Sequence, residues 1–408
     1  MPAIAPRSQK TIELPLTYSG HDCALTLRII ENQNTVALKQ FPLPGNRQKT
    51  PLPSVKQTAV CTWEQDAVSV TGEQFVIRWK NGVPVFYQKD DITYFDRPMQ
   101  FVTYRAETDN DGIVGLYPRW IKSWEQQRLH KMRFFTQKTS VVQEETQVTV
   151  KTNGILTADH CFTGFTVDAH YTVSHNGLLR VCLTVKPYGQ MPMMWEYGSI
   201  GKDETLTPRL PRFGVCFALN KNFDTVRWFG RGPEQNYTDS IAAAPVGLYE
   251  KPLQQLNFAY DVPQETGTRT DIRFLQAAAA VHAFTVYGND TFSFSYHPWK
   301  LDALRAARHP SELKEDPERN YLYIDYRMRA LGSFSCGPNP EKEYDFEPHD
   351  FQFVFALNGE TGKKATYKDM DLGPKTKKLT EVYIRPRIEE EREEIECRSV
   401  EGRREEIL

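Results

Sequence analysis

The chain reads as an all-β protein whose large antiparallel sheets pack as a sandwich, and three observations carry that reading. Apolar and polar residues alternate with period two in segment after segment. Helical periodicity is confined to two short stretches. The strand-helix-strand repeats that a parallel barrel requires are absent over the 408 residues.

Taken in order, residues 11–32 hold a strand pattern at Leu25–Ile30, preceded by a polar turn at Ser19-Gly20-His21-Asp22. Pro42, Pro44, Gly45, Pro51 and Pro53 give the next stretch the composition of an exposed linker. Residues 66–104 read as a meander, and Asn81-Gly82 supplies a hairpin turn. Alternation returns at 147–152, 165–173, 178–186, 213–219, 225–230, 283–288, 292–297, 321–328 and 351–357. The helix candidates are Arg119–Arg133 and Leu301–Leu313, the second broken by Pro310. From Arg385 to Leu408 there are nine Glu and six Arg in twenty-four residues, with apolar positions too sparse for a core-facing stripe. A solvated, partly helical or disordered tail is expected there.

A chain of this length exceeds the roughly 250–300 residues at which one core stops growing, so two domains are expected. Hydrophobic residues at 40% and charged residues at 25% are ordinary for a soluble globular protein and argue against global disorder. A net charge of −2, with no basic stripe interleaved with aromatics, argues against a nucleic-acid partner. No run approaches the ~18 apolar residues of a membrane helix, and the start shows no secretory signal. The seven cysteines are scattered without C-x-x-C spacing, which argues against structural zinc and for reduced thiols in a cytoplasmic compartment.

The richest stretch runs from Leu210 to Asp239. Trp228-Phe229 ends an alternating strand, Gly230 and Gly232 bracket Arg231, and Pro233 presets φ. Glu234, Gln235, Asn236, Tyr237, Thr238 and Asp239 follow at once. The product is a rigid strand-to-loop corner bearing polar and aromatic groups, the chemistry that sugars bind. This corner resembles the W-x-G-x-G-P-x-E-x-Y-x-D signature of the C-terminal domain of glycoside hydrolase family 2 β-galactosidases. Glu234 and Gln235 stand in altered order relative to that pattern.

Four further segments are similar to the same domain, in the family's order. Tyr104–Gly112 resembles R-A-P-T-D-N-D-x-G through Arg105, Asp109, Asn110 and Asp111, with Glu107 where proline is usual. Tyr260–Gly267 resembles Y-x-x-P-Q-E-x-G through Pro263 and Glu265. Leu301–Leu313 resembles L-x-x-A-x-H-x-x-E-L and keeps His309 and Glu312. Gly332–Pro338, with Tyr344 beyond, resembles G-S-x-S-C-G-P. The likeness is weaker upstream to residue 11 and stops near Leu357.

This resemblance implies a galactose-mutarotase-like antiparallel super-sandwich over 63–357. A partial immunoglobulin-like β-sandwich over 1–45, a linker over 46–62 and a charged tail over 358–408 complete the expected organisation. In the family, the loop matching Ser335-Cys336-Gly337-Pro338 reaches a neighbouring catalytic barrel and forms a wall of its sugar pocket. Ser335, Cys336 and Gly337, with Asn110 and Asp111, are therefore the expected substrate rim. The remaining motif residues are expected to be structural. Both carboxylates of the retaining mechanism sit on barrel strands in the family, and no segment here offers their N-E or H-N-E contexts, so no catalytic residue is expected in this chain. A large catalytic subunit is the implied partner, a β-galactoside the implied sugar, and oligomeric assembly is compatible with both. The family's Mg and Na are bound mainly by the barrel, so no cofactor is expected in this chain.

Read by themselves, several motifs keep a second meaning. Asp109-Asn110-Asp111-Gly112 begins like a calcium loop, but the twelfth position is Trp120 instead of Glu, leaving an Asx-rich turn or a ligand-facing rim. His309 and Glu312, three apart on a helix, share a face as a structural hydrogen bond or an acid/base pair. Cys336 lacks a legible His partner for a catalytic thiol. A stand-alone carbohydrate-binding or mutarotase-like protein would need a His and a carboxylate converging on a concave face, and His160, His170, His175, His297 and His309 are available. A structural fragment without activity is the third reading.

Overall fold

The computed structural model describes residues 16–18, 23–31, 33–43, 59–64, 67–112, 120–189, 209–332, 340–361, 377–382, 395–399 and 404–407. Its strands, in chain order, are β1 (Leu16–Tyr18), β2 (Cys23–Glu31), β3 (Asn34–Leu43), β4 (Val60–Glu64), β5 (Ala67–Thr71), β6 (Phe75–Lys80), β7 (Val83–Lys89), β8 (Ile92–Phe95) and β9 (Gln100–Val102). There follow β10 (Arg133–Gln143), β11 (Gln147–Thr157), β12 (Gly164–Ser174), β13 (Leu179–Tyr188), β14 (Arg212–Asn220), β15 (Thr225–Arg231) and β16 (Val246–Pro252). The last are β17 (Arg269–Ala278), β18 (His282–His297), β19 (Arg319–Met328), β20 (Phe351–Thr361), β21 (Lys377–Val382), β22 (Ile395–Ser399) and β23 (Arg404–Ile407). Helices are brief: α1 (Asp109–Gly112), α2 (Trp120–Gln126) and α3 (Leu301–Ala306). The fold is all-β, as the alternation predicts.

The chain divides into two compact units, residues 1–49 with 366–408, and residues 50–365. In the first, β2 and β3 form an antiparallel hairpin turning at Gln33, whose φ is 68°. Also in this unit, β1, β21, β22 and β23 form a four-stranded antiparallel sheet. Where a partly helical or disordered tail is expected, the described pieces beyond residue 366 are thus strands. Backbone pairing satisfies N–H and C=O groups without needing an apolar stripe.

The larger unit is one 17-stranded sheet. Each strand earns its place by alternation. On β13, Leu179, Val181, Leu183 and Val185 are fully buried while Arg180, Thr184 and Lys186 point away. On the neighbouring β20, Phe351, Phe353, Phe355 and Leu357 face the same core. That strand runs on to Thr361, past the expected boundary at 357, because Asn358-Gly359-Glu360-Thr361 still pairs with His282–Thr285. The sixteen-residue β18 holds the architecture together. Its first half pairs with β20, its second half with β19, and β17 lies along its other edge. The core between the layers is aromatic: Tyr87, Tyr94, Phe95, Phe217 and Phe284 meet with centroids 5.2–6.5 Å apart.

The expected Asn81-Gly82 turn joins β6 to β7 with φ of 49° and 73°. Asp90-Asp91 makes the next turn the same way, with φ of 51° and 60°, although neither residue is glycine. Strand β14 departs from one-sided burial. Phe213, Val215, Phe217 and Leu219 enter the main core, while Arg212 and Cys216 on the opposite face are also buried. The second face is covered by α3 through Leu301 and Leu304, with Val102, Ala106, Tyr321 and Tyr323. That covered face is where the polar motifs meet.

Candidate functional site: a buried charge ladder beneath a cleft

Arg105 follows β9 and turns its guanidinium into the covered layer. Its Nε and Nη2 donate to Oδ2 and Oδ1 of Asp111 at 3.2 and 2.7 Å, both side chains being fully buried. Its Nη1 also donates to the carbonyl of Arg329, and its Nη2 to that of Ala330 at 3.3 Å. Asp111 additionally accepts the Thr108 N–H at 3.0 Å, which closes the α1 turn. Arg329 bridges from Asp111, at 3.3 Å, to Asp345, at 2.7 Å. Asp345 pairs in turn with Arg209 at 2.5 Å. Parallel to this ladder, Arg212 grips Asp325 with bonds of 2.6 and 2.7 Å. Gly214 is what makes the room, since a Cβ there would stand 2.2 Å from Asp325 Oδ1.

Pairs this buried are weak evidence for stability, because desolvation offsets their attraction. They do fix geometry, because losing one partner strands a charge. Burial raises the Asp325 and Glu265 carboxyls above their ordinary range, with Arg212 pulling each back down.

The corner at Trp228–Asp239 locks onto the same layer. Trp228 is fully buried, and its Nε1 donates to the Arg231 carbonyl at 2.9 Å. Gly230 lies against β17, where a Cβ would stand 2.4 Å from Ile272 Cδ1, and the Gly232-Pro233 peptide is cis. Asn236 Oδ1 accepts both the N–H and the hydroxyl of Thr270 at 3.0 and 2.6 Å. The Tyr237 hydroxyl reaches Glu265 Oε1 at 3.4 Å, and Thr268 Oγ1 donates to the same oxygen at 2.9 Å. Gln235 Oε1 accepts the Gly267 N–H at 2.8 Å. Arg269, also fully buried, caps the Pro233, Leu256 and Gly267 carbonyls at 3.2, 2.6 and 2.7 Å. Asp239 Oδ2 accepts the Gly332 N–H at 2.8 Å, and Asn110 Nδ2 donates to the Leu331 carbonyl at 3.1 Å. Segments far apart in sequence thus converge on the stem that leads into residues 333–339.

Above the ladder lies a cleft of about 720 Å³, walled by Glu107, Asp109, Glu125, Pro263, Asp302 and Arg305 among others. Arg305 is held by Glu107 at 2.6 Å and Glu125 at 3.0 Å. Glu107, which stands where the family pattern has proline, therefore has a partner of its own.

The expected site residues separate into three sets. Ser335, Cys336 and Gly337 lie outside the described residues. Asn110 sits beside the stem and Asp109 on the cleft wall, but Asp111 is fully buried as an ion-pair partner. His309 and Glu312 do not share a helix. Helix α3 stops at Ala306, a 3-10 turn spans Pro310–Glu312, and Pro310 cannot donate the bond that would join them. Both are exposed, and Glu312 accepts the Arg308 N–H at 2.8 Å.

Arg212, Asp325, Arg329, Asp345 and Arg269 were not singled out from sequence. A signal existed for Asp325: it lies in line with Tyr321 and Tyr323 on a strand whose other face, Leu322 and Ile324, is also apolar. A strand apolar on both faces is buried on both, so a charge within it needs a partner. Among the described residues, no group of His, Cys, Asp and Glu is arranged to hold a metal ion, and no helix is long and apolar enough to cross a membrane.

The family model of the β-galactosidase small chain matches residues 70–357, and the chain belongs to that family. A β-galactosidase of Actinobacillus pleuropneumoniae is 26% identical over 359 residues, covering 85% of this chain and 33% of the relative. That of Vibrio cholerae is 27% identical over 328 residues, covering 75% and 28%. The enzyme from Arthrobacter sp. strain B7 is 33% identical over 153 residues, covering 36% and 15%. The chain spans about a third or less of the length of these relatives. A crystal structure of galactose 1-epimerase from Lactobacillus acidophilus aligns with a TM-score of 0.40 at 7% identity, covering 84% of this chain and all of that one.

Proposed function

We propose that this chain acts as the C-terminal part, or the small subunit, of a β-galactosidase and completes the substrate pocket of a catalytic barrel supplied elsewhere in the enzyme. The observation that carries the reading is the convergence of family motifs on one stem. Asn110, Asp239 and Arg105 all bond to the backbone of 329–332 or its neighbours, immediately before the Ser335-Cys336-Gly337 segment. A stem held this firmly would present a following loop with little entropy left to lose on binding. The role is positioning: the barrel supplies the carboxylates and the family's metal ions, and this chain supplies a wall that keeps the sugar in reactive geometry. A free-standing mutarotase is less well supported, because the β-galactosidase small-chain match spans residues 70–357 and His297, one of the histidines such a protein could use, is fully buried. Cys61, Cys161, Cys182 and Cys216 are free thiols, which supports a cytoplasmic setting.

The test is complementation. The chain alone should hydrolyse o-nitrophenyl-β-galactoside no faster than buffer, and adding it to a matching large chain should raise turnover. Hydrolysis by this chain alone that a single Glu substitution abolishes would overturn the reading. So would a large chain indifferent to its addition.

A further inference from the structure

In the covered layer around His297, a group of buried polar atoms has no protein partner. They are Arg212 Nη1, Glu265 Oε2, Arg269 Nε, both ring nitrogens of His297, Asn257 Oδ1 and Trp299 Nε1. Arg212, Glu265, Arg269 and His297 are each 0% exposed.

The residues adjoin one another. Asn257 Oδ1 and His297 Cε1 lie 2.2 and 3.4 Å from one point, where a Cβ on Gly267 would stand. His297 stacks on Trp299 with centroids 6.0 Å apart and lies 5.7 Å from the Tyr323 ring. The Arg212 guanidinium sits 4.8 Å from that same ring and donates to Ser295 Oγ at 3.0 Å, two residues before His297 along β18. Arg269 is tied to Gly267 through its carbonyl, and Glu265 to Thr268 through its other oxygen.

Buried polar groups in folded proteins find partners, and several orphans in one place mean that something other than protein supplies them. The pattern of orphans restricts what that is. Arg212, Arg269 and Trp299 offer N–H donors, Glu265 and Asn257 offer acceptors, and neutral imidazole offers one of each. A cation would face the two guanidiniums, and an anion would face Glu265 and Asp325. A neutral molecule that both donates and accepts meets neither obstacle. We propose that the space bounded by Arg212, Asn257, Glu265, Arg269 and His297 is an internal binding site for neutral hydroxyl groups, belonging to ordered water or to a small polyol.

This inference does not depend on the proposed function. Each orphaned atom is all but inaccessible to solvent, so occupants exchange only when the surrounding structure opens. Their bonds to Glu265 would set the side chain that supports Tyr237 and the wall of the cleft.

The experiment is a high-resolution crystal structure of the full chain from polyol-free medium, with a second crystal soaked in galactose. Discrete peaks at about 2.6–3.2 Å from Glu265 Oε2, Arg212 Nη1 and a His297 nitrogen in both crystals would identify water. Contiguous density appearing only after the soak would identify a polyol. Direct pairing of these side chains with no density between them would overturn the proposal. In solution, oxygen-17 relaxation dispersion should detect long-lived internal water in the wild-type protein if water is the occupant. His297→Phe should then lose part of that signal. A crystal showing water at the site, combined with an unchanged dispersion amplitude in a folded His297→Phe protein, would refute long residence there.

Discussion

Acid should weaken the larger unit through one imidazole, and the size of the effect follows from where that ring sits. His297 ends β18, fully buried. Burial first, then the charges of Arg212 and Arg269, hold its pKa near about 3 against an ordinary 6.5. The folded ring therefore stays neutral across the range in which the unfolded ring takes up a proton. For a base whose folded pKa is depressed, the contribution is complete above the unfolded value and is lost as pH falls toward the folded one. Each pH unit in that window is worth about 1.4 kcal/mol. Between pH 6.5 and pH 4.5 the loss amounts to about 2 kcal/mol, a large fraction of a domain's net stability. Glu265 and Asp325 act in the opposite sense, since burial raises both carboxyls and their cost is relieved by acid. Comparison with His297→Gln cancels those terms. Urea unfolding followed by tryptophan fluorescence is the assay, and all seven tryptophans lie within residues 50–365. The wild-type protein should lose about 2.5 kcal/mol more than the variant between pH 7 and pH 4.5. Parallel pH profiles would show that the ring is not held neutral in the folded protein.

Arg105→Met should lower stability by roughly 3 kcal/mol, read as a fall in melting temperature, because it leaves the buried Asp111 carboxylate with only the longer 3.3 Å contact to Arg329 for a counter-charge. An unchanged melting temperature would mean that Arg329 alone suffices as the partner of Asp111. Gly267→Ala should cost about 1–3 kcal/mol, since φ there is +79° and the new Cβ would stand 2.2 Å from Asn257 Oδ1; chemical denaturation measures it. Asp239→Ala should leave the chain folded but lower turnover of the complemented enzyme several-fold, because the Gly332 N–H loses its side-chain acceptor. Equal turnover with a matched melting temperature would count against the stem as the functional element. In the same assay Cys336→Trp should raise KM for β-galactosides with little change in melting temperature, and Cys336→Ala should do much less. Unchanged kinetics with a large loss of stability would reassign Cys336 to packing.

Much of this molecule is legible along the chain because a strand writes its environment locally. Leu179-Val181-Leu183-Val185 announces a buried face two residues at a time, and Asn81-Gly82 announces its turn through a backbone preference that needs no neighbours. The corner at Gly230–Pro233 and the likeness to the β-galactosidase small chain are sequence properties in the same sense. Tertiary structure alone decided what covers each face. Alternation tells that Arg212 and Phe213 point opposite ways, but not that α3 and Tyr323 close over the arginine's side. It cannot tell that Asp325, on a strand distant in sequence, arrives as the arginine's partner through the space left by Gly214. Asp111 was thus expected at a surface rim or turn and proved to be a buried counter-ion. His309 and Glu312, matched to a helical pattern, lie beyond the end of α3 on a separate 3-10 turn that begins at Pro310. Ion pairs and covered faces are settled between segments remote in sequence, through desolvation and packing, and no local period records them.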